Sequence, residues 1–313
     1  MCSFGNSFKG WCCLSLFAFV EPFFAMCSFE VFARGVSLQR TGEGSVVARA
    51  SDVSGRWYRL EWSLDFRNWE IARDTFAWPS EVVICRPGVE FAFYRSIQIR
   101  KPEPPYTLAV IGDSTAAGIL TNPNVSGWAE ALIPLVGEDA RFIMAAEPGL
   151  SSKTFFGSNR RSILKRAEPL VVLIQLGQID EFTRFPEVKG TSLEEYDNNL
   201  RGIVSLVRQW DGTPILVTPL PSSEFAPDGN LIPYLGERSR VMRRIGDEMG
   251  VYVLDLHQRV SELYLDATPG ELALWSIFDG YHLSVPGAKI IAKLTVDALP
   301  LHISQLLFGS RAR

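Results

Sequence analysis

The chain contains only three histidines, His257, His282 and His302, and the chemistry open to it depends on which of them can act as a base. A serine hydroxyl becomes a strong nucleophile when a histidine takes its proton and a carboxylate fixes that ring's tautomer and stabilises its cation. His282 has Asp279 three residues before it, in Asp279-Gly280-Tyr281-His282, on a turn leading into a helix. His257 follows Asp255-Leu256 at a helix start, where a ring is more often packed or exposed, and His302 falls in the C-terminal tail. Three further segments join the late Asp-x-x-His: Gly112-Asp113-Ser114-Thr115, Glu147-Pro148-Gly149-Leu150-Ser151-Ser152 and Gly177-Gln178-Ile179-Asp180. Within them Asp113 and Asp180 read as supports for their loops, and Ser151 and Ser152 as helix caps.

The elements that must position these segments can be read from periodicity. Short apolar runs at 107–111, 141–146, 170–176, 214–218 and 251–255 alternate with amphipathic helices. Near-continuous apolar runs of this length mark strands covered on both faces, as in a parallel sheet. The helix after Thr191 opens on a capping box, Ser192 with Glu195, and carries Tyr196, Leu200, Ile203, Val204 and Val207 along one face. The helix after Pro286 does the same with Ala288, Ile291, Ala292, Thr295 and Leu299. Five such alternations predict an α/β fold, a three-layer α/β/α sandwich around a five-stranded parallel sheet. In such a sheet ligands sit beyond the carboxyl ends of the strands. The four chemistry-bearing segments should therefore meet at one edge.

Upstream the pattern is different. Residues 36–100 carry strand signals at 57–62, 82–84 and 91–99, the last alternating Phe91, Phe93, Ile97 and Ile99 on one face. This predicts a small all-β module, a sandwich whose Trp57, Trp62 and Trp69 fill its core. Exposed, the same aromatics would stack on sugar. Lys101-Pro102-Glu103-Pro104-Pro105 reads as a linker between this module and a domain over 106–300. Residues 1–33 have the layout of a secretory signal peptide: Lys9, then the apolar run Trp11 to Val20, which is too short to span a membrane. The expected location is secreted or periplasmic, with no integral membrane domain.

Composition excludes several alternatives. A net charge of −4 and basic residues no more clustered than Arg160-Arg161 and Arg243-Arg244 argue against a nucleic-acid partner. Four of the five cysteines (Cys2, Cys12, Cys13, Cys27) precede residue 30, leaving Cys85 alone in the body of the chain. No zinc-type Cys or His spacing occurs, so no metal or other cofactor is expected. No G-x-S-x-G elbow marks an α/β-hydrolase.

The ordered blocks resemble those of the SGNH (GDSL-like) hydrolases, and within them the rhamnogalacturonan acetylesterase-like branch. The segments that carry the resemblance are VIGDST, GLSSKTF, QLGQIDE, SLEEYDNNLRGIV, PILVTPLPSSEF, YVLDLH and DGYHLSVPGA, and the resemblance extends over essentially all of 106–300. The resemblance implies that Ser114 is the nucleophile, that Asp279 and His282 complete its triad, and that the amides of Ser114 and Gly149 form an oxyanion hole. It implies an esterase that removes acyl groups, in that branch acetyl groups, from an acylated polysaccharide or oligosaccharide through an acyl-serine intermediate. One position departs from the family pattern: Ile179 stands where the family has an asparagine whose side chain gives the third oxyanion donor. Loss of one such donor costs about 2.7–4 kcal/mol, or about 10²–10³ in rate. Two readings of this departure follow: a slower esterase, or one in which Gln178 or a substrate group supplies the missing donor; or a carbohydrate-binding protein that no longer catalyses. A lipase, thioesterase or acyltransferase on the same fold is a further alternative.

Overall fold

A computed structural model of the protein describes residues 103–181, 189–277 and 279–309 throughout. Before them it describes 30–33, 36–40, 46–50, 57–63, 65, 67–73, 81–84 and 93–99. The chain divides into two compact units, residues 1–101 and 102–313.

The first unit is built of strands β1 (Glu30–Ala33), β2 (Val36–Arg40), β3 (Val46–Ala50), β4 (Trp57–Ser63), β5 (Glu70–Arg73), β6 (Glu81–Ile84) and β7 (Phe93–Ile99). They form two antiparallel sheets, ordered β1-β2-β3-β6 and β5-β4-β7. In the second sheet β4 and β7 pair from Trp57↔Ile99 to Ser63↔Phe93, so Leu60 and Trp62 share a face, and both are buried. Trp69 is half-buried, while the side chain of Trp57 lies outside the described residues. So do residues 1–29 of the expected leader and all five cysteines; the last four leader residues are β1, paired with β2.

The second unit holds the five-stranded parallel sheet expected from the apolar runs: β8 (Tyr106–Gly112), β9 (Ala140–Met144), β10 (Val171–Gln175), β11 (Thr213–Val217) and β12 (Tyr252–Leu254), in the order β12-β11-β10-β8-β9. Side chains alternate between its two faces. Ala109, Ile111, Val172, Ile174 and Leu216 enter one core with Phe155, Leu164, Leu200, Ile203, Met242 and Ile245. That core is covered by α3 (Ser152–Phe155), α4 (Asn159–Ala167), α5 (Leu193–Gln209) and α6 (Gly236–Met249). Leu108, Val110, Leu173 and Ile215 are buried on the opposite face. The remaining helices are α1 (Ser114–Ala117), α2 (Trp128–Leu132), α7 (Leu256–Asp266), α8 (Pro269–Trp275), α9 (Val285–Ala298) and α10 (Leu301–Phe308). Each fully buried Leu or Ile on these two faces contributes roughly 1.5–3 kcal/mol.

Local signals set the helix starts. Ser192 and Glu195 form their reciprocal capping box on α5, whose inward residues Tyr196, Leu200, Ile203, Val204 and Val207 are all buried. Ser284 caps α9 by accepting from the Gly287 N–H, and Pro286 occupies its first turn. One segment differs from its reading. His302 does not lie in a tail: it sits on α10, whose Ile303, Leu307 and Phe308 are buried and which packs against β8 and β9. Among the described residues no helix is long and apolar enough to cross a membrane.

Candidate active site

Ser114 is the first residue of α1, immediately after the carboxyl end of β8. Asp113 caps the turn: its Oδ1 accepts from the Thr115 N–H at 2.9 Å and from the Thr115 hydroxyl at 2.8 Å. Thr115 also donates to Gln175 Oε1 at 3.1 Å, and the same oxygen accepts from Trp128 Nε1 at 2.8 Å. Trp128 and Gln175 are both buried, so the end of β10 and the start of α2 hold the serine-bearing turn from below. Gly127 lets α2 approach that turn closely: a Cβ at Gly127 would stand 1.9 Å from the carbonyl oxygen of Ala116. Sequence reasoning identified Asp113 as the turn's support but missed Trp128, Gln175 and Gly127, whose partners lie far away along the chain.

His282 reaches the serine from the loop before α9. Its Nε2 lies 2.9 Å from Ser114 Oγ and its Nδ1 lies 2.7 Å from Asp279 Oδ2. Asp279 Oδ1 accepts the backbone N–H groups of Tyr281 and His282, both at 3.0 Å. Burial works against charge on Asp279, but these bonds from His282 and Tyr281 outweigh it and hold the carboxyl below its ordinary pKa. A carboxylate that stays ionised keeps the proton of neutral His282 on Nδ1 and leaves Nε2 free to accept from Ser114. The loop is pinned to the serine side by a backbone bridge between Val125 and Ser284, with the Ser126 N–H donating to Leu283 O at 3.1 Å. The other histidines are elsewhere. His257 Nε2 lies 3.0 Å from the carbonyl of Tyr234, and burial pulls the His302 ring down to about 4.

The Gly149 and Ile179 loops meet beside this row of side chains through Asp180. Its buried carboxylate accepts from the Ser152 N–H at 3.0 Å, the Ser152 hydroxyl, and the Thr191 hydroxyl at 2.9 Å. Burial raises the Asp180 pKa against these donors. Arg238, 4% exposed, closes the other side of the loop. It donates to Thr191 O at 2.7 Å and to Asp180 O at 3.0 Å, and its guanidinium lies 4.9 Å from the centre of the Tyr196 ring. Ser151 caps α3 as expected. Ser152 does not act as a cap, because its hydroxyl is taken by Asp180 and Asn199.

Gly149 has φ +81°, a left-handed conformation that favours glycine. Among the described residues neither the Ser114 nor the Gly149 amide has a hydrogen-bond acceptor. Ile179 and Gln178 are half-buried on the neighbouring loop. Burial pushes Asp113 up to about 6, with the Thr115 N–H and hydroxyl opposing the shift. Tyr234 and Tyr281 lie with ring centres 4.9 Å apart, Tyr281 being the residue between Gly280 and His282. Among the described residues no three His, Cys, Asp or Glu side chains are grouped to hold a metal ion. Chemically, the Asp279–His282–Ser114 row can withdraw the serine proton.

Comparison with known proteins agrees with this fold. Residues 110–290 match the model of the GDSL-like Lipase/Acylhydrolase family. No curated protein matches the chain significantly. Among solved structures, the protein YXIM of Bacillus subtilis is 18% identical and superposes with a TM-score of 0.55 over 87% of this chain and 83% of its own. Axe2, an acetylxylan esterase of Geobacillus stearothermophilus, is 21% identical with a TM-score of 0.52, over 64% of this chain and 96% of its own. Two further structures of that esterase are described as catalytic mutants, one replacing a serine and the other a histidine by alanine.

Proposed function

Because the chain belongs to the GDSL-like lipase/acylhydrolase family, we propose that it is a serine esterase that removes acetyl groups from a carbohydrate ester. The observation that carries this reading is the continuous contact from Asp279 through His282 to Ser114, at 2.7 and 2.9 Å. Ser114 Oγ adds to the ester carbonyl carbon as its proton passes to His282 Nε2, and the carbonyl π electrons move onto oxygen. The amides of Ser114 and Gly149 hold that oxyanion. When the C=O re-forms, the C–O bond to the sugar breaks and the leaving oxygen takes the proton from His282. Water then repeats the sequence on the acyl-serine and releases the free acid and Ser114.

The substrate of this site is a sugar ester. The resemblance of the sequence blocks to the rhamnogalacturonan acetylesterase-like branch and the similarity of the fold to an acetylxylan esterase support this substrate class. The leader-like residues 1–33 support action outside the cytoplasm, where polysaccharide substrates are found. Ile179 favours a second reading, a carbohydrate-binding protein that has lost catalysis. A fluorophosphonate probe separates the two. Covalent labelling of Ser114 in the wild type, absent in His282→Ala, is the result expected of an esterase. A folded sample that resists labelling and leaves acetylated xylan and acetylated pectin untouched would sink it. A strong preference for long acyl chains would instead assign the site to a lipase.

A further inference from the structure

The oxyanion pocket is short of a donor at Ile179, yet a cation stands beside it. A Cβ placed on Gly149 would lie 2.7 Å from Lys189 Nζ. With a Cα–Cβ bond of about 1.5 Å, the ammonium is therefore within about 4 Å of Gly149 Cα. Real side-chain carbons do not come this close to a nitrogen, so the lysine occupies room that exists because residue 149 has no side chain. Lys189 is half-buried, and among the described residues its side chain has no hydrogen-bond or ion-pair partner. An ammonium carries three donors on a flexible stem. It therefore needs only rotation about its own bonds to reach an oxygen bound at the Gly149 amide.

The fold holds both partners to one carboxylate. Lys189 is two residues before Thr191, whose N–H and hydroxyl donate to the Asp180 carbonyl and carboxylate. Gly149 is three residues before Ser152, whose N–H and hydroxyl donate to that same carboxylate. Ile179 is the residue next to Asp180. The missing donor, the remaining amide and the Lys189 ammonium thus lie on loops tied together at a single buried point.

We infer that Lys189 replaces the absent asparagine and donates the third hydrogen bond to the oxyanion formed on Ser114. This inference rests on the esterase reading. A cation at this place offers more than a neutral amide, because charge-assisted bonds to an anion are roughly twice as strong as neutral ones. Its benefit falls on the transition state, since a neutral ester carbonyl attracts it far less than the tetrahedral oxyanion.

The test is hydrolysis of a small uncharged acetyl ester by the full chain, with unfolding midpoints recorded for every variant. Lys189→Met keeps the apolar stem and removes the donors; kcat should fall about 10²–10³-fold with little change in KM and in the midpoint. Lys189→Arg should recover part of the rate. Adding Ile179→Asn to Lys189→Met should restore kcat at least about tenfold, by returning a donor at the position where one is missing. A Lys189→Met enzyme with wild-type kcat overturns the proposal while leaving the esterase reading intact. So does a loss confined to KM, which would make Lys189 a substrate anchor, and so does a double variant no faster than Lys189→Met. A wild type that neither hydrolyses esters nor takes the fluorophosphonate label overturns the esterase reading, and this inference with it.

Discussion

The carboxylate of Asp180 accepts both the backbone N–H and the hydroxyl of Ser152, and so joins the loop after β10 to the loop after β9. Asp180→Ala would leave these donors and the Thr191 hydroxyl without an acceptor in a buried setting. Each buried unpaired donor costs about 1–3 kcal/mol, so the unfolding free energy in urea should drop by at least that amount. Because Gly149 and Lys189 are held through the same carboxylate, kcat should also fall with KM largely kept. Wild-type stability together with wild-type kcat would remove Asp180 from this role.

Asp279→Asn separates orientation from packing. The amide is nearly isosteric, but it cannot stabilise an imidazolium, and it can turn its NH₂ toward His282 and favour the wrong tautomer. We expect kcat to fall about 10³–10⁴-fold with the thermal midpoint little changed. A loss smaller than tenfold would mean that His282 acts without its carboxylate.

Asp113 gives stability a pH dependence of definite sign. Burial pushes its carboxyl up to about 6 in the folded chain from an ordinary 3.8, so the folded state binds the proton more tightly. Its contribution is greatest below pH 4 and is lost as pH rises through about 6, worth about 3 kcal/mol at most. Asp113→Asn keeps an oxygen for Thr115 and removes the buried charge. The variant should therefore resist urea better than the wild type at pH 8, and the difference should shrink at pH 4. Equal midpoints at pH 8 would contradict the assignment.

Gly127→Ala tests how closely α2 must approach the serine turn. The new methyl would meet the Ala116 carbonyl at 1.9 Å, and backbone rather than a side chain would have to yield. Overpacking of this kind costs about 1–3 kcal/mol. The displaced segment carries Ser114, so kcat should decline by more than the fraction unfolded explains. An unaltered thermal midpoint and rate would mean that the contact relaxes freely.

Much of this was legible in the sequence because it depends on local pattern. The five strands follow from apolar runs whose two faces are both covered, and the α5 start from the reciprocal bonds of Ser192 and Glu195. Asp279 and His282 share one turn, so their pairing could be read directly. What escaped depends on contacts between distant segments. Nothing near Arg238 in the chain indicates that it enters a buried loop at Thr191, and nothing near Lys189 points to Gly149. Gln175 ends a strand like any other polar residue until Trp128 and Thr115 converge on its oxygen. The segment around His302, expected as a C-terminal tail, is instead the helix α10 that Pro300 precedes.

The bridge between Val125 and Ser284 ties the serine's neighbourhood to a stretch of chain that follows every strand of the sheet. Ser114 and His282 are 168 positions apart. A polypeptide made from its N-terminus therefore carries its nucleophile early but receives the base only after the scaffold has been synthesised. Until that late loop docks, Ser114 is an ordinary alcohol, so reactivity is acquired at the end of assembly rather than carried through it.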